Sequence, residues 1–151
     1  EALPRVRSLR TEKGASIMML DIDNFKSIND NWGHLVGDRV ILAVVDIIKD
    51  SIRDNDIFAR LGGEEFGLLL PDTDSNQAIA VAERIRQNVQ QRTGPGYHYA
   101  LPVQVTLSIG VCSAIQNNVN SNDIMRDADE ALYEAKHNGK NRIVTRQAEC
   151  S

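Results

Sequence analysis

Between Asp56 and Pro71 the chain places two short apolar runs around a pair of glycines: Ile57-Phe-Ala-Arg-Leu61, then Gly62-Gly63, then Phe66-Gly-Leu-Leu-Leu70. Two strand-like runs so separated read as an antiparallel hairpin, because glycine accepts the positive φ that a two-residue turn demands. The rest of the chain alternates strands and helices. A hairpin set inside that alternation excludes a purely parallel, doubly wound sheet.

Ahead of the hairpin, Ser16 to Asp23 is a short apolar run ending in acids, the pattern of a buried strand. Ile41, Val44, Val45, Ile48 and Ile52 recur at the spacing of one helix face over Arg39–Arg53, with Gly37-Asp38 placed to cap its start. Beyond the hairpin, Ala78, Ala82, Ile85 and Val89 mark a second helix, and Val103 to Cys112 a further strand. Ile124, Ala128, Leu132 and Ala135 mark a third helix with Gly139 as its stop, and Arg142 to Thr145 suits a last short strand. The expected class is α+β: a single mixed or antiparallel sheet flanked by helices, packed on one of its faces.

The 151 residues suffice for one domain, and 42% hydrophobic with 25% charged content is globular. A net charge of −4 argues against a nucleic-acid polymer as partner. Two cysteines, Cys112 and Cys150, form no disulfide framework, which suits a reducing compartment. The longest apolar runs, such as Ile41–Val45, fall far short of a membrane span.

Alternation along the first strand puts Asp21 and Asp23 on one face and Ile22 on the other. Strands often end in aspartate, so this alone is a weak signal. The turn does not explain Glu64-Glu65, two like charges side by side at its exit. Strand pairing would bring Glu64 to Asp21, and paired carboxylates with substrate phosphates are what a Mg²⁺ ion asks for. Residues 24–38 follow the strand. Backbone amides there, with Lys26, could cradle phosphate. Asn29 and Asp38 could read a guanine edge, although a helix cap is the plainer role for Asp38 and a loop position for His34.

In chain order, Leu20-Asp-Ile-Asp-Asn-Phe-Lys-Ser-Ile-Asn-Asp30, Gly33-His34, Gly37-Asp38, Arg60-Leu-Gly-Gly-Glu-Glu-Phe66, Ser108-Ile-Gly110 and Ala131-Leu-Tyr-Glu-Ala-Lys-His-Asn-Gly-Lys-Asn141 resemble the GGDEF domain in its GGEEF form. That domain is the catalytic unit of bacterial diguanylate cyclases. The resemblance runs from about residue 16 to residue 145 and implies a fold related to nucleotidyl cyclases and polymerase palm domains. It implies condensation of two GTP into cyclic di-GMP and two pyrophosphates, in a homodimer holding one GTP per subunit. The alternative is a regulatory module of the same fold that binds GTP or cyclic di-GMP without turnover.

Carried over by position, Asp21, the carbonyl of Ile22 and Glu64 would hold Mg²⁺ (or Mn²⁺). Glu64 or Glu65 would take the 3′-proton. Asn24, Phe25 and Lys26 would hold phosphates, with Gly62 and Gly63 beside them and Lys136 and Lys140 on the terminal ones. Asn29, His34 and Asp38 would meet the base. Arg53 and Asp56, an Arg-x-x-Asp five residues before the diglycine, match the family's inhibitory product site. Arg84 or Arg86 is the candidate to complete it from a second subunit. Chance supplies about one Arg-x-x-Asp in such a chain, and Arg126 to Asp129 is a second, so position is the whole case for Arg53.

The stretch with which the family usually opens is absent before Ala15. The expectation is therefore a GGDEF domain over residues 1–151, begun inside its first helix, with a tail from about 147. It would be a cytoplasmic domain joined upstream to a sensory or dimerising region, in a whole protein that attachment to the inner membrane would also suit.

Overall fold

The computed structural model describes residues 14–114 and 121–147. The segment read as the end of a first helix, and the tail past 147, lie outside the described residues. The elements run β1 (Ala15–Ile22), α1 (Phe25–Trp32), α2 (His34–Asp50), β2 (Ile57–Arg60), β3 (Glu65–Pro71), α3 (Ser75–Arg92), β4 (Leu107–Ala114), α4 (Ser121–His137) and β5 (Ile143–Gln147). Five strands form one mixed sheet in the order β2-β3-β1-β4-β5. The pairs β2–β3, β3–β1 and β1–β4 are antiparallel, and β4–β5 is parallel.

Helices cover both faces of the sheet, not one as the sequence pattern suggested. Met18, Leu20, Ile22, Phe66, Leu68 and Ile109 pack with Val40, Val44 and Ile47 of α2 and with Ala82, Ile85 and Val89 of α3. The opposite residues, Ile17, Met19, Leu69 and Cys112, pack with Ile124, Ala128 and Leu132 of α4. The reason is local: β4 is buried at every residue and β1 at all but Asp21, so neither central strand has a polar side to offer water.

Two local expectations also change. Helix α2 starts at His34, capped by Gly33 at φ 88°, ψ 163°, so Asp38 lies inside the helix and is no cap. Only glycine adopts that geometry freely, and there it separates α1 from α2. The diglycine is not a two-residue turn: Arg60 pairs with Phe66, so residues 61–65 span the bend, and neither Gly62 nor Gly63 has positive φ. Gly110 allows a close approach. A Cβ there would overlap the backbone of Ala128, Ala131 and Leu132, so α4 lies directly on β4. Among the described residues, no helix is long and apolar enough to cross a membrane.

Candidate active site

The end of β1, the central strand, organises the site. In register, Asp21 stands opposite Glu65 on β3 and Ser108 on β4. Past the strand end the ladder continues: Ile22 N–H donates to Glu64 O (3.2 Å) and Asp23 N–H to Thr106 O (3.0 Å). The bend of the hairpin is thereby fastened beside β1, and Glu64 and Glu65 arrive next to Asp21.

Lys136 reaches this end from α4. Its Nζ lies 3.0 Å from Asp21 Oδ1, 3.0 Å from Asp23 Oδ1 and 3.2 Å from Ile22 O. Asp23 is buried and accepts from Ser108 Oγ (2.6 Å), Thr106 Oγ1 (2.7 Å) and the Asn141 N–H (3.0 Å). Burial alone would raise its pKa, but these hydrogen bonds and Lys136 outweigh that and hold it below the usual carboxylate value. The other acids lack such support. Burial pushes Asp21 up against the pull of Lys136, and pushes Glu64 up with help from Asp21. Burial also raises Glu65, with Asp129, Asp21 and Glu64 adding to the effect. Four carboxylates thus gather near one ammonium, which pairs with Asp21 and Asp23, and the local excess of negative charge calls for a further cation.

The donor set suits a hard divalent ion: carboxylates at Asp21 and Glu64 and the Ile22 carbonyl. Lys136 Nζ, a cation already within 3.0–3.2 Å of two of those oxygens, shows that the spot accepts positive charge. Among the described residues no three acidic, His or Cys side chains are gathered as a complete metal cage. A substrate's own oxygens would be needed to finish the shell.

Around this centre the structure brings several expected residues together. Asn24, at φ 58°, precedes α1, whose first intrahelical bond is Ile28 N–H to Asn24 O (3.0 Å). The amides of residues 25–27 therefore have no intrahelical acceptor, which is the anion-binding property of a helix start. Lys140 Nζ donates to Asn24 Oδ1 (2.6 Å), while Lys26 is exposed. At Gly62 and Gly63 a Cβ would meet nothing within 4 Å, so their bare backbone borders open space. Arg60, which the sequence reading overlooked, donates to Gly62 O (3.2 Å) and Gly63 O (2.8 Å) and fixes that loop. Asn29 on α1 abuts Gly37 of α2, beside Asp38; His34 and Asp38 are exposed.

A second polar pocket lies at the other end of the hairpin, roughly 15–20 Å along its strands. Its cavity of about 120 Å³ is lined by Arg53, Asp56, Thr73, Gln77 and Arg84, among others. Arg53 Nη2 donates to Asp56 Oδ1 (3.1 Å), Pro71 O (3.0 Å) and Thr73 Oγ1 (2.7 Å). Arg84 Nη2 donates to Ser51 O (2.7 Å). Of Arg84 and Arg86, Arg84 therefore joins this pocket within the same chain. Arg86 instead binds Glu83 and Asn141 Oδ1 (2.7 Å for the latter). The other Arg-x-x-Asp does not repeat the arrangement: Arg126 pairs with Asp123 (3.3 Å) on exposed α4 surface.

The family model described as "Diguanylate cyclase, GGDEF domain" matches residues 4–142. The chain is 55% identical over 130 residues to the probable diguanylate cyclase DgcT of Escherichia coli, covering 86% of this chain and 29% of that protein. It is 46% identical over 129 residues to diguanylate cyclase A of Treponema denticola, covering 85% and 34% respectively. It thus spans about a third of the length of these relatives. Among solved structures, the active GGEEF domain of a diguanylate cyclase from Vibrio cholerae matches with a TM-score of 0.78 and 38% identity, over 89% of this chain and 84% of that one. The GGDEF domain of DgcB from Caulobacter crescentus, solved with c-di-GMP, matches with a TM-score of 0.78 and 32% identity, over 87% and 77%.

Proposed function

The chain belongs to the GGDEF family of diguanylate cyclases, and on that premise we propose that it condenses two GTP into cyclic di-GMP and two pyrophosphates. The single observation that supports this reading is that strand pairing brings Glu64 and Glu65 beside Asp21 and Ile22, where the Lys136 ammonium lies on the Asp21 carboxylate and the Ile22 carbonyl. Nucleotidyl transfer needs such a centre. When bound there, a divalent ion such as Mg²⁺ (or Mn²⁺) would neutralise the phosphates and lower the pKa of the attacking hydroxyl.

The remaining work falls to the chain's own groups. The 3′-oxygen of one GTP attacks the α-phosphorus of another, the bond to the β-phosphate oxygen breaks, and pyrophosphate leaves. Glu64 or Glu65 accepts the 3′-proton. The free amides at residues 25–27, Lys26 and Lys140 hold phosphate oxygens. Lys136, now spread over Asp21 and Asp23, would turn toward the terminal phosphates. Asn29 and Asp38, with His34 near them, meet the guanine. The described residues form a single such centre, and ring closure requires two, so two chains would face each other with one GTP apiece.

The Arg53–Asp56–Arg84 pocket would bind the product and slow the enzyme. Arginine forks suit both phosphate and guanine edges, which supports that assignment. Upstream fusion to a sensory or dimerising region, and a cytoplasmic place for this domain, belong to the same reading.

The test is incubation of the purified chain, at high concentration, with GTP and Mg²⁺, followed by chromatography. Cyclic di-GMP that disappears with Glu64→Ala is expected. GTP binding without product, even after fusion to a dimerising coiled coil, would favour the regulatory module instead.

A further inference from the structure

Gly37 sits inside α2 and is buried, with ordinary helical φ. Glycine costs a helix interior about 1 kcal/mol relative to alanine, so conformational freedom does not account for it. A close approach does. A Cβ at 37 would overlap Asn29 Oδ1, stand 3.0 Å from Asn29 Cγ and 3.4 Å from Phe25 Cζ. Independently, Asn29 Oδ1 is, among the described residues, the one buried side-chain polar atom with no hydrogen-bond partner.

These two facts belong together. Leaving a buried amide oxygen unpartnered is unfavourable, and the oxygen stays there because it rests in the space that the missing Cβ leaves open. The oxygen of the Asn29 amide is therefore held by a steric seat on Gly37 and not by a hydrogen bond of its own. We propose that Gly37 is a positioning residue for base selection: its lack of a side chain sets the amide of Asn29 in the orientation that reads guanine, next to the adjoining Asp38. This rests on the guanine reading proposed above. A methyl group at 37 would push on the far end of a rotatable side chain, so the fold would yield cheaply. The cost would appear in where the amide points.

The experiment is a double-mutant cycle on the whole chain, reading equilibrium binding of GTP and of ATP with Mg²⁺ present, beside thermal melting. Gly37→Ala should weaken GTP binding about tenfold, the scale of one well-placed hydrogen bond, and weaken ATP binding much less. Adding Gly37→Ala to Asn29→Ala should change GTP binding less than about twofold, because no Oδ1 is left to displace. Equal losses in both backgrounds, or no loss in the first, would overturn the proposal. If Gly37→Ala does not fold, recovery of the fold in the double variant upholds the steric seat, and its failure there too refutes it. A wild-type chain that binds ATP as tightly as GTP would instead remove the guanine reading, and the proposal with it.

Discussion

At the bend of the β2–β3 hairpin, carboxylates outnumber their partners, whereas at its other end an arginine has every partner it needs. Lys136 pairs with Asp21 and Asp23, Glu64 and Glu65 stand beside them, and three of the four acids have raised pKa values. Arg53 is joined to Asp56, Pro71 O and Thr73 Oγ1 with the Asp56 side chain only 2% exposed. The difference teaches that unbalanced charge in a folded chain points to something missing from outside, such as a cation. A balanced cluster announces no ligand by its charge, and its case rests on shape and position.

The largest expected effect strikes the unbalanced end. Glu64→Ala should cut cyclic di-GMP synthesis about 100-fold or more, as losing a metal ligand does, with the melting temperature unchanged or higher. Wild-type rates in that variant would break the comparison by showing that the excess charge has no task.

Asp23→Asn should do the reverse, costing stability because Asp23 is the one acid there with full compensation. The loss should be about 1–3 kcal/mol at pH 7, read from urea unfolding. Since the folded-state pKa of Asp23 is depressed, its contribution is present above the ordinary value of 3.8 and vanishes as pH falls through the depressed value. The variant and the wild type should therefore converge in acid.

At the balanced end, Arg53→Ala should leave initial rates intact and relieve inhibition by added cyclic di-GMP, while costing about 1 kcal/mol of stability. Unchanged inhibition, measured as rate against product concentration, would leave Arg53 as a purely structural group.

The smallest effect sharpens the contrast. Glu65→Gln should raise the melting temperature slightly at pH 7, because it removes a carboxylate whose ionisation is disfavoured by burial and by Asp129, Asp21 and Glu64. A raised folded-state pKa costs stability above that pKa and nothing below the unfolded value. The gain should therefore fade as pH drops toward 4.5. A loss at pH 7 would show that Glu65 has a partner that matters more than the repulsion.

Much of this was legible because it is periodic. The strands follow from short apolar runs and the longer helices from 3.6-residue spacing, and the hairpin excludes a purely parallel sheet; the parallel β4–β5 pair is what makes it mixed. Alternation also put Asp21 and Asp23 on one face, where both now meet Lys136. The second helical layer was missed although its sign was present: Ile17-Met-Met-Leu20 has no polar face, so both sides needed cover. Other features have no local signature. Asp23 is held by Ser108 and by the amide of Asn141, 85 and 118 residues away, and nothing near Asp23 in the sequence names them. Arg60 was visible as a residue, but its hold on the glycine loop depends on a five-residue bend that the diglycine disguised as a tighter one.

The missing side chain at Gly110 reaches further than packing. Because α4 rests there on backbone alone, Leu132 touches the sheet without an intervening cushion, and Lys136 stands one helical turn, about 6 Å, beyond that fulcrum. A spar clamped so near its tip transmits any lift almost undiminished. Gly110→Ala would act like a shim under the helix, carrying the ammonium of Lys136 away from Asp21 and Asp23 together. The placement of a charge at one end of β1 is thus machined at a position of β4 that carries no charge at all.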